Sequence, residues 1–441
     1  MNPFVTKIKE QLKSNEDFLI QREFLANTSV VLLGLTTVVD IVKTRELLHK
    51  LAESIMKQGK SSEEIWSMIG EVKEDDIMNA ITSIYEGNLI IHINNTREYI
   101  VMVPVKKELS RSISPPTNEN VLQGALNSFI EDIDSNIGLV RKQINTDGLC
   151  VNTFSTGSNI EKKVALLYIK TFADKNLVDK ICWHIENNNN LEINDLQGLS
   201  KTLHFSGWDT VSRYNTTEIP SSALEFLKEG RVILFIDQMP YAIILPNLLW
   251  DMFAVQNDRN FPVPIMIAIR ILRVLGVLIT LIFPSLYVAL VSVNPEILQI
   301  DLALTVALSR EGIPYPALVE ILFMLVVLEL ILEASIRLPK AVGPTITMVG
   351  GIILGQAVVQ ASLVSNLLII ILAATTIANS TIVGIQNQVS IRLHKYLLVL
   401  LAGMFGLLGI TSGIVFLCAY YASINTFGTS YVHINLKRND S

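Results

Sequence analysis

Residues 341–391 read AVGPTITMVGGIILGQAVVQASLVSNLLIIILAATTIANSTIVGIQNQVSI, a stretch of 51 residues without Asp, Glu, Lys or Arg. A second stretch without these residues, 41 residues long, covers 396–436. A bilayer core about 30 Å thick is crossed by roughly 20 apolar helical residues, so the two stretches provide for about three crossings. They indicate a membrane domain in the C-terminal part of the chain.

Charged residues are concentrated ahead of this region. Of the 76 charged side chains (35 Lys and Arg, 41 Asp and Glu), 60 lie in residues 1–262, and 34 of those are acidic. This density is ordinary for a soluble globular domain. The acidic surplus argues against nucleic acid as a partner, because phosphate binding needs clustered Lys and Arg. We therefore expect a soluble part followed by a membrane part, with the lipid bilayer as a partner and no nucleic acid.

The soluble part contains an internal repeat. VVLLGLTTVVD (30–40) aligns with VALLYIKTFAD (164–174), and GNLIIHINNTREYIVMVP (87–104) aligns with GRVILFIDQMPYAIILP (230–246). The first pair predicts a buried strand that precedes helices, and the second pair predicts a hairpin. The predicted fold class of this part is therefore α/β, with two similar subdomains.

These features divide the chain into four parts. We expect one α/β subdomain at 1–110, a linker helix and a second α/β subdomain at 111–262, an all-α polytopic membrane domain at 263–424, and a short tail at 425–441. The N-terminus has no signal-peptide pattern, so we expect the N-terminal domain on the cytoplasmic side of the cell membrane.

Five apolar segments are the predicted membrane spans: 265–293, 316–336, 341–359, 363–385 and 396–421. Basic residues fall in alternate connections, which places the N-terminal domain inside and the tail outside by the positive-inside rule. The connection 293–315 contains only a seven-residue apolar run, LALTVAL, which is too short to cross. We expect this connection to be interfacial or re-entrant rather than a sixth span.

The second predicted span and the turn before it carry the ionisable candidates. An ionised side chain near a bilayer centre costs about 2.5 to 3.5 kcal/mol, so such groups face a bundle interior, a partner or water. Glu333 and Arg337, four residues apart, are placed to neutralise each other. The candidate pore or subunit-contact residues are Glu320, Glu329, Glu333, Arg337, Arg310 and Glu311.

Two interpretations stay open for Glu320 and Glu329. These carboxylates either belong to an ion pathway or a subunit contact, or they pair with Arg310 or Arg273 of a neighbouring segment. The short polar residues at 375–381 likewise either line a wet pore or form hydrogen bonds to adjacent helices.

Gly351 and Gly355 are candidates for helix packing, because small residues four apart let helix backbones approach closely. The six histidines and three cysteines show no ligand spacing, and no nucleophile or acid–base constellation is recognisable. We therefore expect no enzymatic activity, no cofactor and no metal site.

Several long motifs carry a family resemblance. SREGIPYPALVE (309–320), EASIRLPKAVG (333–343) and GQAVVQASLVS (355–365) resemble, in this order and spacing, the central motifs of the A subunits of GerA-type spore germinant receptors. FPSLYVALVSVNPEIL (283–298) and EGRVILFIDQMPYAIILP (229–246) are similar to further parts of that family. The resemblance covers nearly the whole chain.

The resemblance implies a subunit that acts in the inner membrane of a dormant spore. Family members work with a polytopic, germinant-binding B subunit and a lipoprotein C subunit. The A subunit is thought to form a homo-oligomeric, ligand-gated ion channel. This chain departs from the family at Leu325 and Leu332, where a Glu and an Arg are usual. An ion-coupled secondary transporter is the alternative interpretation, although the internal repeat lies in the soluble part.

Overall fold

The computed structural model describes residues 3–25, 28–56, 62–94, 96–105, 127–144, 148–338 and 343–433. The predicted loop at 110–120 and the end of the predicted tail lie outside these residues. The described chain has an α/β part with two antiparallel sheets, and a helical part follows it.

The first α/β unit is a five-stranded antiparallel sheet with helices on both faces. Its elements are α1 (Pro3–Gln11), β1 (Phe18–Leu25), β2 (Thr28–Leu35), α2 (Ile41–Met56), α3 (Ser62–Ile69), β3 (Glu71–Glu74), α4 (Ile77–Tyr85), β4 (Leu89–Ile93) and β5 (Glu98–Met102). The strand order is β1-β2-β4-β5-β3. Helices α2 and α3 cover one face, and α1 and α4 cover the other. Successive residues such as Leu32 and Leu33 therefore enter different cores, which explains the continuous apolar run in β2.

The second α/β unit repeats this arrangement. Its elements are α5 (Ile133–Gln143), β6 (Leu149–Thr156), β7 (Lys162–Ile169), α6 (Lys175–Asn187), α7 (Leu196–Thr202), β8 (Asn215–Thr217), α8 (Pro220–Lys228), β9 (Val232–Ile236) and β10 (Ala242–Leu245). The strand order β6-β7-β9-β10-β8 is that of the first sheet. Helices α6 and α7 cover one face, and α5 and α8 cover the other.

The predicted repeat is confirmed in these elements. The first aligned pair of segments forms β2 and β7, which are the second strands of their sheets, and the second pair forms the hairpins β4–β5 and β9–β10. A buried ion pair joins the two units, in which Arg141 of α5 donates to Asp17 at 2.6 Å and to Asn15 at 3.0 Å.

The helical part follows the second sheet. Its helices are α9 (Val263–Val288), α10 (Ile300–Ser309), α11 (Ala317–Arg337), α12 (Gly343–Gln360), α13 (Asn366–Asn379) and α14 (Ile385–Ser423), and a π-helical turn, Ala289–Val293, continues α9. Among the described residues, two helical stretches are long and apolar enough to cross a membrane, Val263–Val293 and Ile385–Ser423. The first four predicted crossings therefore stay predictions, and the conformation of α14 decides the fifth. Helix α10 has ten residues, and it covers the connection expected to be interfacial or re-entrant.

Helix α14 is folded back on itself at Gly406, whose φ of 60° and ψ of −136° interrupt the helix. A hydrogen bond of 2.9 Å joins His394 to Tyr421, 27 residues later, whereas a straight helix would separate them by about 40 Å. The prediction of one uninterrupted span at 396–421 is therefore wrong. We call the two antiparallel halves the first and second limbs of α14.

The second limb returns the chain to the soluble part. Arg213 donates to the carbonyl oxygen of Asn425 at 2.8 Å, Lys180 donates to that of Phe427 at 3.2 Å, and Leu249 N–H donates to that of Tyr431 at 2.9 Å. The expectation that the membrane separates the tail from the N-terminal domain is therefore wrong. The physical reason is the reversal at Gly406, which sequence periodicity does not reveal.

Candidate functional site

Two ionic clusters lie between the helices of the C-terminal part, at opposite ends of them. Helix α9 starts beside the soluble part, where Arg273 donates to Asp258 at 2.8 Å, and its π-helical extension ends beside Gly406. Helix α11 runs back in the opposite direction. The cluster around Glu320 therefore lies at the end far from the soluble part, and the cluster around Glu329 lies nearer to it.

The far cluster is centred on Glu320, whose side chain is fully buried. Its carboxylate accepts a hydrogen bond from Ser365 N–H at 2.6 Å and lies 3.4 Å from Arg310 Nε. Ser365 is the N-cap of α13, so the positive end of that helix also stabilises the charge. Tyr287 of α9 contacts the same carboxylate at 3.4 Å. This cluster ties three helices together by internal pairing, as one of the two interpretations of Glu320 requires.

The near cluster consists of Glu329, Arg392 and Lys395. Arg392 of the first limb donates to Glu329 of α11 at 2.8 Å, so Glu329 pairs with neither Arg310 nor Arg273. Lys395 is buried one turn later on the same limb. Polar residues of α13 face this cluster as well, among them Asn379, whose buried side-chain oxygen has no hydrogen-bond partner among the described residues.

A small cavity of about 10 Å³ opens among these groups, and it is large enough for about one water molecule. It is lined by Leu325, Leu328, Glu329, Leu332, Thr375, Thr376, Asn379, Arg392 and Lys395. Glu329 reaches the outer surface, where 42% of its side chain is exposed, so the cavity lies just beneath the surface of the helical part.

The other sequence candidates lie outside both clusters. Glu333 and Arg337 form the predicted pair at 2.6 Å, and both side chains are exposed. Glu311 is exposed in the turn after α10. A Cβ built on Gly351 or Gly355 would meet no described heavy atom within 4 Å, so the packing face of α12 points into open space.

The junction between the soluble part and the helices is a polar cluster around Thr210. Thr210 N–H donates to Tyr420 at 2.9 Å, and its hydroxyl lies 2.9 Å from His394. Ser390 donates to the carbonyl oxygen of Thr210 at 2.6 Å. Both limbs of α14 are therefore tied to one loop of the soluble part.

The ion pair between Asp258 and Arg273 fastens α9 at the same level. Burial alone would raise the pKa of Asp258, but the hydrogen bonds from Arg273 and from Val255 N–H outweigh it and hold that pKa below its ordinary value. The carboxylate therefore keeps its charge at neutral pH, and the pair stays formed.

Sequence reasoning missed Arg392 and Lys395 as members of a cluster and assigned them only to a basic connection. Their position at the boundary between two charge-free stretches was the available signal. The reversal at Gly406 was also missed, although Gly403, Gly406, Gly409 and Gly413 crowd this apolar segment. Among the described residues, no group of three or more His, Cys, Asp or Glu side chains could hold a metal ion.

Comparisons with known proteins give a consistent result. The family model described as Bacillus/Clostridium GerA spore germination protein matches residues 6–440. Spore germination protein A1 of Bacillus subtilis (strain 168) is 29% identical over 432 residues, which cover 96% of this chain and 88% of that protein. Spore germination protein GerQA of Bacillus cereus is 30% identical over 408 residues, which cover 91% of this chain and 81% of that protein.

Among solved structures, a similarity is found to the N-terminal domain of the A subunit of the Bacillus megaterium spore germinant receptor GerK3. The identity is 22% and the TM-score is 0.41, over 56% of this chain and 94% of that chain.

The fold and the ionic clusters define a membrane-associated protein in which a duplicated α/β domain is fastened to a bundle of apolar helices. The chain belongs to the GerA family of spore germination proteins, as its motifs predicted. Membership supports a role in spore germination.

Proposed function

We propose that this chain is the A-type membrane subunit of a spore germinant receptor and that it couples germinant sensing to ion release as a homo-oligomeric, ligand-gated ion channel. Its site of action is the spore inner membrane, with the N-terminal domain on the cytoplasmic side. Its partners are a polytopic, germinant-binding B subunit and a lipoprotein C subunit. Family membership and the apolar helices below a soluble domain support this proposal.

The observation that carries the oligomeric part is the uncovered face of α12. A Cβ built on Gly350, Gly351 or Gly355 would meet no described heavy atom within 4 Å, and the apolar side chains of Met348 and Ile352 on the same side of the helix are exposed. A glycine face gains stability in a bilayer only when another helix backbone packs closely against it. A second copy of the chain supplies such a helix.

The coupling part rests on the junction. A shift of the loop at Thr210 would move both limbs of α14, because Ser390, His394 and Tyr420 all bond to that residue. Helix α14 packs against α9 and α13, so a change in the soluble domain reaches the rest of the bundle through it. On α11, the exposed residues Glu333 and Arg337 are the proposed pore or subunit-contact groups next to the α12 face, whereas Glu329 belongs to the near cluster with Arg392.

Disulfide cross-linking tests the assembly. Gly355→Cys, in a chain whose Cys150, Cys182 and Cys418 are replaced by Ser, should form covalent dimers in spore membranes on mild oxidation. Val415→Cys is the control, because this residue is 68% exposed on the second limb and reports random collision. If Gly355→Cys formed no more dimers than Val415→Cys, the proposal that two copies meet at the glycine face of α12 would be contradicted.

A further inference from the structure

The charges around the near cavity do not balance. Glu329 supplies one carboxylate, whereas Arg392 and Lys395 supply two cations. Arg392 Nη1 donates to Glu329, but the buried Nε of Arg392 has no hydrogen-bond partner in the described part of the chain. Among the described residues, no acceptor lies within hydrogen-bond or ion-pair distance of Lys395 Nζ, which sits 5.4 Å from the centre of the Tyr396 ring. The Arg392 Nε–H and the Lys395 ammonium are therefore left without a hydrogen-bond acceptor among the described residues, and the cluster carries one more positive than negative charge.

The surroundings of the Lys395 ammonium group make an excess positive charge unfavourable. Lys395 is only 8% exposed, and Leu325, Leu328 and Leu332 form the apolar wall of the cavity. Arg392 and Lys395 share the carboxylate of Glu329, and a buried excess of positive charge is unfavourable, so an anion from outside the chain would stabilise the site.

The position of the near cluster along the helices indicates the source of the anion. Ser390 and His394 bond to Thr210 of the soluble part, and Arg392 lies between them in sequence. Arg392 and Lys395 therefore lie at the level where the soluble domain meets the helices, which would be the headgroup level of the adjacent leaflet in a bilayer crossed by the helical part. The 16% of the Arg392 side chain that is exposed and the exposed edge of Glu329 give access from the lipid side.

We propose that Arg392 and Lys395 form a binding site for the phosphate group of an anionic phospholipid from the leaflet next to the soluble domain. A phosphate oxygen accepts from the free Arg392 Nε–H and from the Lys395 ammonium, since guanidinium and ammonium groups are the usual phosphate ligands in proteins. Basic pockets between membrane helices on the cytoplasmic side are suited to anionic headgroups. The cavity admits about one oxygen atom of the headgroup, and the acyl chains stay in the bilayer beside α11.

The test uses the purified full-length chain in neutral detergent. Its unfolding midpoint is measured while phosphatidylglycerol, phosphatidylcholine or inorganic phosphate is added at constant ionic strength. Phosphatidylglycerol should raise the midpoint of the wild type, and Arg392→Gln and Lys395→Gln should each need at least about tenfold more of it for half the effect. Arg259→Gln removes an exposed cation of the soluble part and should behave like the wild type.

Two results would overturn the proposal. If phosphatidylglycerol raised the unfolding midpoints of the wild type and of both cluster variants equally, Arg392 and Lys395 would not form its binding site. If inorganic phosphate or phosphatidylcholine raised the midpoint of the wild type as much as phosphatidylglycerol does, the ligand would not be an anionic lipid.

A charge addition tests the same idea without removing a cation. Leu325→Glu places a carboxylate on the cavity wall and supplies the missing counter-charge internally. This variant should fold with an unchanged or higher midpoint, and it should lose the response to phosphatidylglycerol at least about tenfold. A wild-type response in folded Leu325→Glu would contradict the site. These measurements need neither ion conduction nor assembly, so they are independent of the proposed channel function.

Discussion

The side chain of Asn294 accepts a hydrogen bond from the backbone N–H of Leu407 at 3.1 Å, directly after the chain reverses at Gly406. Asn294 ends the π-helical extension of α9, so the contact fastens the tip of the α14 hairpin to the first membrane helix. Ala289, Ala402 and Ile410 pack beneath the tip. The far ends of α9 and of both limbs are therefore one structural unit.

Replacing Gly406 by Ala should destabilise this unit. The backbone at Gly406 is close to the first central position of a type II′ turn, which L-residues with a side chain avoid. An added Cβ would also lie 2.0 Å from Asn294 Oδ1. We expect a loss of about 1 to 3 kcal/mol in the free energy of unfolding, measured by thermal unfolding in detergent.

Gly350→Ala is the matched control for this change. Gly350 lies in a helix with open space around it, so the substitution should be neutral or stabilising by up to about 1 kcal/mol. Equal effects of the two substitutions would show that the hairpin turn does not depend on glycine.

Glu320→Gln and Glu333→Gln should differ sharply in their effect on stability. Glu320 is buried with Arg310, and removing one partner of a buried ion pair costs about 3 to 5 kcal/mol. Glu333 is exposed beside Arg337, where the loss should be below about 1 kcal/mol. The unfolding midpoints of the two variants check this. Similar midpoints would mean that the Glu320 cluster does not hold the helices together.

The ion pair between Asp258 and Arg273 predicts a pH dependence. Because the pKa of Asp258 is held below its ordinary value of 3.8, the pair contributes full stability above that value and loses it as the pH falls through the folded-state pKa. The difference in unfolding midpoint between the wild type and Asp258→Asn should be largest near pH 7 and shrink below about pH 4. Glu225→Gln, which removes a carboxylate from a more exposed pair, should show no comparable trend. A difference that persisted at low pH would refute the assignment to Asp258.

The folded-back α14 predicts that the tail and α10 lie on opposite membrane faces. In a cysteine-free chain, Thr429→Cys should react with a membrane-impermeant thiol reagent from the same side as the soluble domain. Ser309→Cys should react only from the other side. If Thr429→Cys reacted from the same side as Ser309→Cys, α14 would cross the membrane only once and the folded-back arrangement would be wrong.

The soluble fold could be predicted from the sequence, because strand periodicity and duplication are local signals. VVLLGL and VALLYI read as buried strands, and they are the second strands of two sheets with the same order. The pairing of Glu333 with Arg337 was predictable for the same reason, since it needs only helical spacing.

The hairpin and the near cluster could not be predicted from local pattern. Both limbs of α14 are apolar throughout, and only the backbone conformation of Gly406 distinguishes a reversal from a long helix. The contact of Glu329 with Arg392 joins α11 to the first limb, and such pairings depend on tertiary packing. Hydropathy located the membrane part but did not count or orient its helices.

Cation release from germinating spores tests the central claim most directly. Spores that carry Gly355→Leu, which fills the open face of α12, are compared with spores that carry Ile353→Leu, a change at a 62% exposed apolar position of the same helix. At equal amounts of membrane protein, a nutrient mixture that triggers the wild type should cause normal release with Ile353→Leu and at least about tenfold slower release with Gly355→Leu. Equal release from both would contradict an ion-conducting assembly built on α12.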